Sequence, residues 1–225
     1  MRPDPIAWST ERLLSGVRRF QRDIYPPRRA AYEQVAREGQ SPHALFITCA
    51  DSRIDPELIT QSGPGEIFVS RNIGNLVPAY GVLSDGMSAI IEYGVAGLKV
   101  SQVVVCGHTD CGAMIGLLHT RKVANLPIVK SWLRNAGAAL SHVGRGLGPL
   151  DEQLLLERLI EANVVLQLNH LKTHPSVAVR LSQGKLALSG WVYDIGRGSV
   201  SVYQDDLQRF FDVTGGERAV SADPI

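Results

Sequence analysis

Apolar residues recur along this chain in two rhythms, one marking helices and the other buried strands. Leu13, Leu14, Val17 and Phe20 fall at helical spacing and predict a helix from Thr10 to about Gln21. Pro26-Pro27 should break it, with a second helix through Ala30 to Ala36 that ends near Gly39. The first continuous apolar run, His43 to Thr48, reads as a strand. Pro56 to Thr60 predicts a short helix, and Gly63-Pro64-Gly65 a turn. Ile67-Phe68-Val69 opens a second strand. Ser84-Asp85 suits the N-cap region of a helix over Met87 to Leu98. Gln102 to Cys106 is apolar almost throughout, as in a strand covered on both faces. A helix after Cys111 carries Met114, Leu117 and Leu118. Gly144 to Pro149 predicts a loop, and Asp151 to Leu171 the longest helix, with its acidic residues at the N-terminus. Lys185 to Ile195 is a fourth strand, and Ser199 to Tyr203 pairs with it across Gly196-Arg197-Gly198. The tail from Thr214 is polar and expected to be loose. The order predicts an α/β domain spanning 1–225, with a mainly parallel central β-sheet flanked by helices. An N-terminal helical arm, about 10 to 38, has no strand of its own to cover and suits packing on another subunit.

Composition narrows the function classes. The chain has 225 residues, 44% hydrophobic and 20% charged, enough for a sizeable core. A net charge of +1 with scattered Lys and Arg offers no basic stripe for nucleic acid. No window reaches the roughly 18 apolar residues of a membrane span. Met1-Arg2-Pro3-Asp4-Pro5 lacks the apolar stretch of a signal peptide. Three cysteines with no secretory signal point to metal ligands rather than disulfides, and to the cytoplasm.

The candidate chemistry lies at two strand ends. Cys49 opens Cys49-Ala50-Asp51-Ser52-Arg53, and His108 and Cys111 bracket His108-Thr109-Asp110-Cys111-Gly112. Alone, each reads as a core residue. Together, two soft thiolates and an imidazole suit zinc, and three protein ligands leave an open position, as in catalytic zinc sites. Cys106 faces the same way as His108 in an extended strand, so spacing permits it as a ligand in place of Cys49 or Cys111. It also closes a run of three valines and is read as a core thiol. Asp51 and Arg53 form an orienting pair, with Arg53 holding Asp51 ionised and aimed. Asp51 could also swing in as a fourth ligand. The remaining histidines, His43, His119, His142, His170 and His174, read as surface residues.

These two signatures, Cys-x-Asp-Ser-Arg and His-x-x-Cys-Gly, resemble those of the β-class carbonic anhydrases, in their plant and cyanobacterial branch. The likeness extends through Gly65 to Asn75, Ile91-Glu92-Tyr93 and Gly190-Trp191-Val192-Tyr193, about residues 10 to 205. It implies reversible hydration of CO2 to bicarbonate and a proton, by attack of zinc-held hydroxide. One Zn2+ per chain would be held by Cys49, His108 and Cys111. It implies Asp51 and Arg53 as the catalytic pair, and Gln40, Phe68, Ile73, Tyr93 and Gly112 around the substrate, some of them from the neighbouring subunit. It also implies a homodimer or a tetramer of dimers, acting on a small molecule and not on nucleic acid or membrane. Carboxysomal members carry a longer C-terminal extension. A bacterial branch with an inhibitory bicarbonate pocket has Trp where this chain has Phe46, with Arg71 and Tyr193 matching its other two residues. The pocket thus lacks an indole donor. Rival readings are a carbon disulfide or carbonyl sulfide hydrolase on the same scaffold, and a non-catalytic zinc or thiol sensor.

Overall fold

The computed structural model describes residues 4–81, 86–143 and 151–214. The expected N-cap region at Ser84-Asp85, the loop at Gly144 to Pro149 and the tail beyond Thr214 lie outside them. The chain forms two compact units, Met1–Ser41 and Pro42–Ile225.

The first unit is helical. α1 (Pro5–Arg19) is capped by Asp4, whose carboxylate accepts the Ile6 N–H at 3.0 Å. A wide π-type turn, Phe20–Ile24, leads into α2 (Tyr25–Glu38). Pro26-Pro27 therefore does not break the chain out of helix, contrary to the sequence expectation. The prolines sit at the start of α2, where their missing N–H groups cost least, and the wide turn ahead of them absorbs the ring clash. Phe20, Tyr25 and Tyr32 pack their rings together with centroids 5.4–6.1 Å apart. No residue of α1 or α2 is buried.

The second unit is built on a six-stranded sheet. β1 is Ala44–Cys49 and is followed by α3 (Pro56–Thr60) and β2 (Ile67–Asn72). α4 (Gly86–Glu92) runs into a π-turn at Tyr93–Gly97, then β3 (Gln102–His108) and α5 (Gly112–Leu118). α6 (Pro127–Trp132), α7 (Gly137–Val143), α8 (Glu152–Lys172) and α9 (Pro175–Ser182) lead to β4 (Ala187–Asp194), β5 (Ser199–Gln204) and β6 (Arg209–Asp212). The strand order is β2-β1-β3-β4-β5-β6. The first four are mutually parallel, β5 is antiparallel to β4, and β6 is antiparallel to β5. The mainly parallel sheet is as the sequence predicts; β6 and the helices α6, α7 and α9 are additional.

β1 is buried along its whole length and β3 along nearly all of it, which is why both read as unbroken apolar runs. Leu45, Ile47, Val103 and Val105 belong to the main core with α8, while Phe46, Val104 and Cys106 form a smaller cluster with Trp191 and Tyr193. α8 lies close on the sheet. A Cβ at Gly190 would come within 2.8 Å of Val164, so the approach requires glycine there. Register then does the positioning: Cys49 lies beside Asn72, and Thr48 beside Cys106, so the ends of β1, β2 and β3 converge.

Candidate metal centre

Parallel strands in α/β sheets present their carboxyl ends to ligands, and the site assembles there. Cys49 is the last residue of β1 and His108 the last of β3, one strand over. Cys111 is the N-cap of α5, brought back by a tight turn in which Asp110 takes a positive φ of 55°. The three donor atoms lie within 4.8 Å of one another, and all three residues are buried.

Hydrogen bonds set the state of each donor. His108 Nδ1 lies 2.8 Å from the Thr109 carbonyl, which can only accept, so Nδ1 carries the proton and Nε2 presents its lone pair. That Nε2 is buried and has no hydrogen-bond partner among the described residues. Cys49 Sγ accepts the Gly74 N–H at 3.4 Å. The neighbouring Cys111 side chain is the main cause that holds the Cys49 pKa down to about 4. Cys111 is pushed the other way, by Cys49 beside it and by burial. Metal ligation requires both as thiolates, and a dication between them would favour that form. An orphaned imidazole nitrogen facing two sulfurs is a donor set that fits zinc.

Asp51 stands at the rim. Its Oδ1 accepts from Arg53 N (3.0 Å) and Nε (2.9 Å), and its Oδ2 from Arg53 Nη2 (2.8 Å). This forked pair, led by the Arg53 side chain, holds the Asp51 carboxyl well below the usual carboxylate range. Oδ2 has a lone pair to spare, and it is the oxygen 4.0 Å from His108 Nε2. Arg53 Nη2 also reaches the Asp110 carbonyl at 3.2 Å, tying the two signatures together. A second arginine, matched in the sequence only to the bicarbonate pocket, clamps the loop from the other side: Arg71 Nε donates to the Cys49 carbonyl at 3.2 Å and Nη2 to that of Asp51. Its acceptors are backbone groups, which leave no trace in a motif.

The other expected residues are spread more widely. Ile73 follows β2 directly beside Cys49 and is 42% exposed. Gly112 begins α5 with open space at its Cα. Phe68 pairs with Leu45, four residues from the Cys49–Asn72 level, roughly 13 Å along the strand. It meets Tyr93 edge to face at 5.8 Å, and Tyr93 is 52% exposed. Gln40 lies in the first unit, just after α2, and is exposed. Cys106 is not among the clustered donors; complete burial keeps it a thiol, with its pKa pushed up to about 12. Two histidines are not surface groups. His174 is buried, with Nε2 on the Pro78 carbonyl, and half-buried His170 bonds the Val77 carbonyl.

Fold and site together define an α/β protein with a Cys2His donor set, fit for a metal, at the ends of parallel strands. The carbonic anhydrase family profile matches residues 44–200. A carbonic anhydrase of Synechococcus elongatus is 47% identical over 190 residues, covering 84% of this chain and 70% of that one. One from Pseudomonas aeruginosa is 45% identical over 214 residues, 94% and 96% of the two chains. The solved structure of the β-carbonic anhydrase CcaA superposes with a TM-score of 0.86 at 40% identity, covering 90% of this chain and 98% of that one. The chain belongs to the β-class carbonic anhydrase family, and its activity is the family's: reversible hydration of CO2 to bicarbonate.

Proposed function

We propose that Cys49, His108 and Cys111 hold one zinc ion and that Asp51, fixed by Arg53, orients the reacting groups beside it. The observation that carries this is the partnerless, buried Nε2 of His108, facing two cysteine sulfurs with the Asp51–Arg53 pair 4.0 Å away. When bound, zinc supplies Lewis acidity that makes water a nucleophile, less strongly here than with three histidines because two thiolates cancel its charge.

The chain's own residues do the rest. The remaining lone pair on Asp51 Oδ2 accepts a hydrogen bond from the attacking water and turns its oxygen toward the carbon of CO2. The new C–O bond gives bicarbonate, and the proton passes to solvent. Arg53 keeps the carboxylate ionised and occupies its other lone pairs, so that Asp51 stays off the metal. Ile73 provides apolar surface for a nonpolar substrate, and Gly112 leaves room next to Cys111. Phe68 and Tyr93 stand too far from Cys49 in their own chain to line its pocket. Their exposed edge supports a role at the centre of a second copy, in a homodimer. Gln40 is assigned to bicarbonate from the same arm-and-partner arrangement. Three free cysteines support a reducing compartment, the cytoplasm.

Asp51→Asn tests the assignment. It should keep zinc at one per chain and lower hydration about 100-fold. Unchanged hydration would remove Asp51 from the mechanism.

A further inference from the structure

The N–H that touches Cys49 belongs to the peptide joining Ile73 to Gly74, and the carbonyl of that same peptide is also engaged. Trp132, the last residue of α6, donates its indole Nε1–H to the Ile73 oxygen at 2.8 Å. The Gly74 N–H then donates to Cys49 Sγ at 3.4 Å. A peptide is planar and polarisable, so a donor on its oxygen strengthens the donor at its nitrogen. Indole, peptide and sulfur form one hydrogen-bonded line.

The line is held rigidly. Gly74 has φ +80°, and a Cβ there would lie 2.9 Å from that of Ala113, so the turn admits only glycine. The Gly74 carbonyl accepts Asn163 Nδ2 at 3.2 Å. Gln167 fixes that amide's direction: its Oε1 accepts the Val77 N–H and its Nε2 donates to Asn163 Oδ1, both at 2.8 Å. Asn163 and Gln167 are buried on α8, and Trp132 packs against the main core.

We infer that Trp132 is a positioning residue for the metal centre, orienting and polarising the 73–74 peptide so that its N–H draws electron density from the Cys49 thiolate. A hydrogen bond to a metal-bound sulfur weakens it as a donor and leaves the metal more Lewis acidic. In a site with two thiolates this restores part of the acidity that they remove. The inference rests on Cys49 being a metal ligand, as proposed above.

Cobalt(II) in place of zinc reads the sulfur directly, through its thiolate-to-cobalt charge-transfer band. Trp132→Phe keeps an aromatic ring and deletes the donor. Benzothienylalanine at 132 keeps the bicyclic shape and replaces N–H by sulfur, which guards against a folding defect. In both, checked for native far-UV circular dichroism, the band should move to lower energy. For the zinc forms, kcat/KM should fall roughly three- to tenfold below about pH 8 and converge on the parent at higher pH. A purely structural role would lower activity equally at all pH and leave the band in place. An unmoved band in the benzothienylalanine protein overturns the inference. Lack of any such band in the cobalt-loaded parent overturns the metal centre itself.

Discussion

Asp51 shows how much a single side chain's surroundings decide. The Arg53 fork is the largest cause of its lowered pKa, so the folded value lies below the unfolded one. Its carboxylate form is favoured above the ordinary carboxylate range, and that advantage is lost only as pH falls through the depressed value. Arg53→Gln removes the main cause. Asp51 should then titrate closer to its ordinary value, read from the chemical shift of its carboxyl carbon in an NMR pH titration. An unshifted titration would contradict the pairing. Phe46 makes a second residue-scale point. Its ring meets Trp191 edge to face at 5.6 Å and has no N–H to offer an anion. Bicarbonate should therefore not inactivate the enzyme cooperatively below about pH 8, and sigmoidal loss of activity in a bicarbonate titration would refute this. At this scale the sequence was most legible where the candidate site sits in short local patterns: the three clustered donors, Asp51 and Arg53 all lie within two five-residue runs. The carbonyl contacts of Arg71 and Trp132 were illegible because only the fold supplies the positions of backbone groups.

Among the elements, β1 and β3 were readable because burial on both faces demands unbroken apolar runs, and α8 because its length lets a period show. β6 is four residues, Arg209–Asp212, with two charged ends, too short for either rhythm. α6 and α7 are six and seven residues and run through short 3-10 turns, so no helical repeat accumulates. Pro26-Pro27 misled because proline ends most helices yet is welcome at the first positions of the next. The turn after β2 is the element on which the centre most depends. Gly74→Ala forces a side chain into a positive-φ position and toward Ala113, costing about 1–3 kcal/mol. A lower melting temperature and weaker zinc retention against a chelator should follow together. A fully stable Gly74→Ala protein with normal zinc retention would contradict the tight turn.

On the scale of the whole molecule, the arm leaves its large apolar side chains unburied. Ile6, Leu13 and Val17 share one face of α1 and remain exposed, an apolar stripe suited to a partner. The sequence predicts the arm and its lack of a strand to cover. Sedimentation should show a dimer or larger assembly. Leu13→Glu with Val17→Glu should shift it toward monomer and lower hydration, because the Phe68–Tyr93 pair then leaves its neighbour's centre. A fully active monomer would refute the shared pocket.

The most direct test of the account is stopped-flow CO2 hydration on protein of known zinc content, comparing the parent chain with Cys111→Ser. The parent should hold one zinc per chain and hydrate CO2 at a rate that rises with pH through the alkaline side of neutral, both lost in Cys111→Ser. Zinc-loaded parent protein with no hydration between about pH 7 and 9, or a Cys111→Ser protein that retains full activity, would contradict it.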